Sequence, residues 1–159
     1  MIRKAKANEL NEILKIANKT KENMLNNNLK QWVGNYPNLE VFNKDLKLNG
    51  LFVYLENNKI IASISILEEN DPPYQAIKWF SHNSLVIHRI LVNPIYQGKG
   101  IGKALFNQAI ALTKEGNYIS LKVDTHPDNL KMQKLIESMG FKYMGYLESI
   151  NRLAYELIV

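Results

Sequence analysis

The sequence predicts one mixed α/β domain whose sheet is largely antiparallel in its first half. Its 159 residues are 46% apolar, the size and composition of a globular domain. Strand-like and helix-like patterns alternate in the order β-α-α-β-β-β-α-β-α-β-β, which is typical of this fold class. No internal repeat or Pro/Gly-rich linker interrupts the sequence, so we expect residues 1–159 to form a single domain.

The N-terminal half is predicted to hold a strand, two helices and a hairpin. Met1–Lys6 is a short strand, and a helix follows from Leu10 to Asn26, with apolar residues at i, i+3, i+4 and i+7. A second short helix, at about Leu39–Leu48, ends before an Asn-Gly pair, since glycine often follows a helix. Four polar residues separate the apolar strands Leu51–Leu55 and Ile60–Leu67, a pattern that predicts a hairpin.

The C-terminal half is predicted as a strand–helix–strand unit followed by a helix and two strands. An irregular segment, Asn70–Asn83, leads to Leu85–Val92, whose continuous apolar run predicts a strand covered on both faces. This strand, the next helix and the next strand should form a right-handed parallel crossover. Helical stripes and apolar runs predict the other elements: helices at Ile101–Glu115 and Asp128–Met139, and strands at Ile119–Val123, Phe141–Leu147 and Leu153–Val159.

Composition and charge exclude several classes of function. The sequence has no cysteine, which excludes a disulfide scaffold, a thiolate zinc site and a cysteine nucleophile, and we expect no metal. The formal charge of +5 suits an anionic ligand, but the lysines are scattered, so we expect no nucleic acid partner. No apolar run approaches the roughly 18 residues that span a bilayer, and the N-terminus lacks a signal-peptide pattern. We therefore expect a cytoplasmic monomer or homodimer without membrane attachment.

The glycine-rich segment Gln97–Lys103, QGKGIGK, predicts a phosphate-binding loop before a helix. A P-loop needs Ser or Thr after Gly-Lys, and here Ala104 follows. A dinucleotide loop needs a third glycine where Lys103 stands. Helix N-terminal N–H groups, unhindered glycine backbone and two lysines still favour a bound phosphate. The alternative is a tight turn that needs glycine only for its dihedral angles.

The same residues resemble the GNAT N-acetyltransferases. Gln97–Gly102 matches that family's [RQ]-x-x-G-x-[GA] loop, and Ile90–Val92 ends the apolar strand before it. Asn129–Phe141 fits the family's N-x(6)-Y-x-x-x-G-F frame, although Ile136 occupies the tyrosine position. The matching residues cover about 85–145, and the N-terminal half agrees in pattern only. The resemblance implies a GNAT-like mixed, mostly antiparallel sheet flanked by helices.

The resemblance also implies acetyl-CoA as the acyl donor. In this family the pyrophosphate lies on the loop amides and the pantetheine arm pairs with the end of the fourth strand. Asn129 is expected to contact this arm, with a helix-start role as its alternative. The positions implied for the donor are Ile90, Leu91, Val92, Gln97, Gly98, Lys99, Gly100, Ile101, Gly102, Lys103 and Asn129.

The implied reaction is direct attack of a primary amine on the thioester, aided by a backbone N–H near Leu91 or Val92. Ile136 removes the usual proton donor, so Tyr143, Tyr146 or water are left as candidates. Asp124 and His126 are candidate bases, with a turn-capping role as the alternative for Asp124. Glu68 and Glu69 are further carboxylates at the end of the third strand.

The acceptor amine is expected on a small molecule or a peptide. Trp32 and Tyr36 lie where the family builds its substrate wall, and His88 is a further candidate with a core position as its alternative. Trp79 and Phe80 are possible additions to the wall, although these aromatic residues also suit a core. The change at Ile136 keeps a second function open, a non-catalytic acyl-CoA-binding or regulatory module.

Overall fold

A computed structural model describes residues 1–68 and 71–159 of the chain. The element order agrees with the predicted one. The strands are β1 (Ile2–Lys4), β2 (Leu51–Glu56), β3 (Lys59–Leu67), β4 (Ser84–Val92), β5 (Ser120–Thr125), β6 (Lys142–Leu147) and β7 (Arg152–Ile158). The helices are α1 (Leu10–Asn26), α2 (Leu39–Lys47), α3 (Ile101–Glu115) and α4 (Leu130–Ser138). The strands form a mixed, mostly antiparallel sheet in the order β1-β2-β3-β4-β5-β7-β6.

The chain divides into two compact units. The first unit comprises Met1–Ile66 and His88–Leu105, and the second comprises Leu67–Ile87 and Phe106–Val159. Strand β4 and helix α3 each contribute residues to both units. Within the described ranges, no helix combines the length and apolar character that crossing a membrane requires.

The first unit is an antiparallel meander with α1 and α2. Strand β2 pairs with β1 and with β3, and the β2–β3 turn uses Asn57 and Asn58 at φ +51° and +62°, as the twist of a tight hairpin requires. Its core is apolar because the buried stripe of α1, which includes Ile13 and Ala17, meets Phe42 of α2 and the inward residues of the strands. The predicted hairpin and both predicted helices are therefore confirmed.

The second unit contains the parallel pairing that the crossover predicts. Residues Ser84–Val86 of β4 pair in parallel with Ser120–Lys122 of β5, and β7 then pairs antiparallel with both β5 and β6. The segment before β4 is not a formless loop, because it contains a 3-10 turn at Pro72–Ala76 and its Tyr74 and Trp79 pack in the unit's core, whereas Phe80 is exposed. Asn70, where this segment was predicted to begin, lies outside the described residues.

Several predicted boundaries shift by a few residues for local reasons. Helix α4 begins at Leu130, two residues later than predicted, because Asn129 is its N-cap and accepts the Met132 N–H at 3.2 Å. Strand β5 extends to Thr125, so Asp124 lies inside a strand rather than after it. Strand β1 is shorter than the predicted Met1–Lys6, since a 3-10 turn at Ala7–Glu9 already precedes α1.

Candidate functional site

The glycine loop connects the end of β4 to the start of α3. Asn93 turns the chain out of the strand, and its Oδ1 accepts the Ile95 N–H at 3.3 Å. Gly98 and Gly100 then take φ values of +78° and +79°, in the left-handed region that side chains disfavour. A Cβ added to either glycine would meet no heavy atom within 4 Å. The loop therefore needs these glycines for its backbone path, and its surface is open to a ligand.

The first turn of α3 presents the N–H groups that such a ligand would meet. Helix α3 begins at Ile101, and the Ala104 N–H already bonds the Gly100 carbonyl at 3.1 Å. The first N–H groups of a helix lack intrahelical partners and carry its positive dipole end. Lys99 and Lys103 are exposed, and Lys99 Nζ lies 5.3 Å from the ring centroid of Tyr96. This donor-rich, positive surface fits a pyrophosphate.

The strand segment predicted for the acyl arm lies directly before this loop. Leu91 is buried in the first unit's core, while Ile90 and Val92 are half-buried. The Val92 carbonyl lies 3.3 Å from the donating Thr20 hydroxyl of α1 and 3.5 Å from the Gln97 amide nitrogen. Gln97 thus begins the loop and also contacts the end of β4. It therefore connects the two segments that are predicted to bind the acyl donor.

The three predicted substrate residues lie in the first unit but differ in exposure. Trp32 is buried in the core with α1 and α2, whereas Tyr36 is 38% exposed. His88 is half-buried in β4. Tyr36 contacts Arg89, a β4 residue that the sequence analysis did not identify as functional. The available signal was an arginine inside an otherwise apolar strand.

In the second unit, Asp124 receives a hydrogen bond from a buried tyrosine. The Tyr74 hydroxyl donates to Asp124 Oδ2 at 2.6 Å, and Arg152 Nε lies 3.9 Å from Oδ1. Tyr74 is 2% exposed, and burial together with the Asp124 carboxylate raises the pKa of Tyr74 well above its ordinary value. Tyr74 therefore keeps its proton near neutral pH. Sequence reasoning missed it, although a tyrosine after two prolines was visible.

His126 follows β5 in a buried position. Its Nδ1 accepts the Asp128 N–H at 3.0 Å, so the neutral ring carries its proton on Nε2. Burial, and then the Arg152 charge, lower the pKa of His126, while Asp128 acts in the opposite direction. The Asn151 amide nitrogen lies 3.5 Å from His126 Nε2. The Asn151 amide oxygen accepts a hydrogen bond from the Tyr146 hydroxyl at 2.7 Å.

The remaining candidates of the second unit lie on α4 and β6. Asn129 caps α4, the helix-start role that the sequence analysis weighed against a donor contact. Ile136 is fully buried. Tyr143 is 55% exposed on β6 and packs edge-to-face against Tyr155 at 5.7 Å. The two sets of candidates are thus divided: the loop, the strand segment and the substrate residues lie in the first unit, and Asp124, His126, Asn129 and Tyr143 in the second.

Two buried residues of opposite charge underlie the segment that carries Tyr74. Lys122 of β5 and Glu156 of β7 are opposite residues in the antiparallel ladder, and each is 1% exposed. The Glu156 carboxylate accepts the Ser120 hydroxyl at 2.5 Å and the Phe80 N–H at 2.7 Å. Lys122 Nζ lies 4.6 Å above the Trp79 ring, and burial lowers the pKa of Lys122 although Glu156 opposes this. These contacts hold the segment before β4 on the sheet.

Of the two candidate carboxylates after β3, the structure describes one. Glu68 is exposed and accepts a hydrogen bond from the Tyr118 hydroxyl, while Glu69 lies outside the described residues. Over residues 1–68 and 71–159, no group of three or more His, Cys, Asp or Glu side chains is placed to hold a metal ion.

Comparisons with known proteins find both a family and individual chains that this chain resembles. A model of the "Acetyltransferase (GNAT) family" matches residues 11–141. The chain is 35% identical to an N-acetylaspartate synthetase of Xenopus tropicalis over 66 residues, which are 42% of this chain and 24% of that protein. It is 33% identical to the Homo sapiens N-acetylaspartate synthetase over 63 residues, 40% of this chain and 21% of that protein. These matches therefore span about a quarter of the curated relatives' length.

A solved structure is similar over the whole chain. The crystal structure of a GNAT-family acetyltransferase from Streptococcus agalactiae has a TM-score of 0.88. Its sequence is 26% identical, and the match covers 100% of this chain and 95% of that one.

Proposed function

Because the chain belongs to the acetyltransferase (GNAT) family, we propose that it transfers an acetyl group from acetyl-CoA to a primary amine of a small molecule or peptide. One observation carries this proposal, the exposed glycine loop at the start of α3. Gly98 and Gly100 hold left-handed backbone there, and among the residues that the structure describes no heavy atom beyond their chain neighbours lies within 4 Å of a Cβ added to either. The exposed Lys99 and Lys103 and the open start of α3 beside these glycines favour a phosphate ligand over a turn alone.

The donor is assigned to one continuous stretch of the first unit. Residues Gln97–Lys103 would hold the pyrophosphate through backbone N–H groups and lysine charge. Residues Ile90–Val92 would align the acyl arm, and Asn129 is the second-unit residue proposed for that arm. Bound acetyl-CoA supplies an activated acyl group, whose transfer to the amine releases a free thiol.

We assign the proton-accepting role to Asp124 in preference to His126. The Tyr74 hydroxyl fixes the Asp124 carboxylate in one orientation, as a group that receives a proton in a defined direction requires. The His126 Nδ1 lone pair is already used by the Asp128 N–H, and its Nε2 carries the ring proton. Tyr143, exposed on β6, is the proposed proton donor that replaces the missing tyrosine at position 136. No cysteine or metal is needed for this direct transfer.

A non-catalytic acyl-CoA-binding module is the second candidate, and the buried Ile136 is the observation that favours it. An isoleucine has no proton to donate and cannot take the role of the tyrosine that its position usually holds. Both candidates predict acetyl-CoA binding, so only turnover distinguishes them.

The test is release of free thiol from acetyl-CoA in the presence of primary amines. A thiol-reactive dye gives a clean signal because the chain contains no cysteine of its own. The panel contains polyamines, aminoglycosides, peptides and amino acids with their amides. It includes aspartate because the curated relatives are named N-acetylaspartate synthetase. Mass spectrometry of the amine identifies the acetylated product.

We expect amine-dependent thiol release with at least one panel member, and a calorimetric titration that shows saturable acetyl-CoA binding. Saturable binding without turnover across the panel would support the binding module instead. Absence of acetyl-CoA binding would overturn the assignment of the loop itself.

A further inference from the structure

The backbone of Arg89 is strained in the middle of β4. Its φ is +46°, whereas the other non-glycine residues at positive φ in the described part of the chain are all asparagines. Asparagine tolerates left-handed backbone in turns, but a long side chain within a strand does not adopt it without a cost of about 1–3 kcal/mol. Such strain persists only where surrounding contacts hold the residue in place, so Arg89 must be held by its side-chain contacts.

The guanidinium of Arg89 forms a two-point ion pair with a buried carboxylate. Arg89 Nε donates to Asp45 Oδ2 at 2.7 Å, and Nη2 donates to Oδ1 at 2.6 Å. Ser65 also donates its hydroxyl to Asp45 Oδ2, at 2.6 Å. The Asp45 side chain is 1% exposed and that of Arg89 is 12% exposed. Both carboxylate oxygens of Asp45 therefore accept hydrogen bonds from Arg89, and the guanidinium plane has a fixed orientation.

The opposite side of this guanidinium contacts the exposed Tyr36. Arg89 Nη1 donates to the Tyr36 hydroxyl oxygen at 3.0 Å. Because that oxygen accepts, the Tyr36 O–H proton remains able to donate elsewhere. An arginine has five N–H donors, and these described contacts use three of them. The remaining donors are one on Nη1 and one on Nη2, so together with the Tyr36 O–H this pair offers three hydrogen-bond donors.

This set of donors selects the chemistry of its ligand. A substrate ammonium group brings donors and positive charge, and it has no acceptor to offer. A carboxylate brings paired acceptor oxygens in a plane, which match a guanidinium edge and a neighbouring hydroxyl. Arg89 directly precedes Ile90–Val92, the segment proposed for the acyl arm, and contacts Tyr36, which is proposed for the substrate wall, so we assign a group bound here to the acceptor.

We propose that Arg89 and Tyr36 bind a carboxylate of the acceptor, so that the preferred substrates are small amines that carry a carboxylate, such as free amino acids. This inference rests on the proposed acetyltransferase function and narrows its substrate class. Asp45 acts as a positioning residue, since it contacts only the arginine and Ser65 in these interactions and would not touch the substrate.

The experiment compares each amino acid with its own amide, which keeps the amine and removes the charge. Wild type should show a kcat/KM at least tenfold higher for the acid. Tyr36→Phe should raise KM for the acid about tenfold by removing one donor to a charged group, and should raise KM for the uncharged amide by less. Arg89→Lys keeps the charge but loses the planar fork, so it should reduce the preference further. Tyr54→Phe, at a half-buried tyrosine of β2, is the matched control and should leave the preference intact.

Binding measured without turnover keeps the two proposals separate. Calorimetric titration with an amino acid and its amide, in the presence of CoA, should show the same preference and the same loss in Tyr36→Phe. If thiol release occurs but acids and amides perform equally, the carboxylate site is wrong and the acetyltransferase proposal stands. If no amine is acetylated, the acetyltransferase proposal fails, and equal or absent binding of acid and amide then overturns the carboxylate site as well. A loss in Tyr36→Phe that is equal for acid and amide would reduce Tyr36 to a structural role.

Discussion

The Tyr74 hydroxyl donates a 2.6 Å hydrogen bond to Asp124 Oδ2 across 50 residues of sequence. The tyrosine lies in the segment before β4 and the aspartate in β5. Because the pKa of Tyr74 is raised by burial and then by Asp124, the hydroxyl stays protonated below its ordinary pKa of 10 and acts as a constant donor. The bond stabilises the ionised form of the carboxylate relative to the protonated form.

Tyr74→Phe removes this donor and keeps the ring. If Asp124 accepts the amine's proton, the acid limb of the kcat/KM pH profile should move to higher pH, because the carboxylate loses a group that favours its charged form. We expect kcat to fall by about tenfold near neutral pH, since a positioned base contributes roughly 10²–10⁴-fold in all. The measurement is a pH–rate profile of thiol release. A variant with lower activity but an unshifted acid limb would show that Tyr74 serves folding alone.

Gly100→Ala should weaken acetyl-CoA binding by at least tenfold. The new methyl group would occupy the open space beside the loop, where the pyrophosphate is proposed to lie. Left-handed backbone also costs an L-residue about 1–2 kcal/mol, so some loss of stability is expected. Titration calorimetry with acetyl-CoA measures the affinity.

Gly34→Ala is the matched control for this loop variant. Gly34 has φ +62° and its added Cβ would also meet nothing within 4 Å. It should therefore lose similar stability in urea but keep its acetyl-CoA affinity. Equal acetyl-CoA affinities in Gly100→Ala and Gly34→Ala would show that the glycine loop does not bind the donor.

Glu156→Gln should destabilise the fold by about 3 kcal/mol, because it leaves Lys122 buried without its opposite charge. Burial is the main cause of the lowered pKa of Lys122, which indicates that removal from water already disfavours the charged form of the lysine. Urea denaturation gives the free energy of unfolding. Glu148→Gln changes an exposed glutamate in the same unit and should shift the midpoint little. A midpoint equal to wild type in Glu156→Gln would show that the Glu156 charge does not stabilise the buried Lys122.

His126 should make the protein less stable as pH falls below about 6.5, the ordinary pKa of histidine. Its pKa is lowered in the folded state by burial and by Arg152, so the unfolded chain binds the proton more readily and stability is lost as pH falls. Protonation of Nδ1 would also oppose the Asp128 N–H that points at it.

His126→Gln should therefore show a smaller drop in unfolding free energy between pH 7.5 and pH 5.5 than wild type. His82→Gln, at an exposed histidine of the same unit, is the control and should keep the wild-type drop. Parallel urea titrations at the two pH values make the comparison. Identical drops in wild type and His126→Gln would assign the acid sensitivity to other groups.

Local sequence patterns predicted the element order because each element carries its own signal. The apolar runs of β2 and β3, the stripe of α1 and the glycines before α3 can each be recognised within a few residues. The loop was found for the same reason, since its function depends on contiguous residues. The boundary at Leu130 was missed because Asn129 works as a cap, a role that its neighbouring Asp128 could equally have taken in the sequence.

Local sequence patterns could not predict the contacts that orient the candidate side chains. Arg89 and Asp45 meet across 44 residues, and Tyr74 and Asp124 across 50. Each pair joins an element of the sheet to a helix or a connecting segment, and no local spacing encodes that meeting. An arginine within an apolar strand and a tyrosine beside two prolines were visible, but neither identifies its partner without the three-dimensional path of the chain.

The left-handed backbone of Arg89 implies that positions 45 and 89 are inherited together. Breaking the buried pair from either side should cost about 3–5 kcal/mol, which exceeds the roughly 1–3 kcal/mol of backbone strain. A related chain that keeps Asp45 should therefore lose stability if another residue replaces Arg89. Where the carboxylate at 45 has been lost, the strain is no longer offset, and glycine or asparagine should replace the arginine. If Arg89 binds the acceptor carboxylate as proposed, loss of the preference for acids over amides should accompany that exchange.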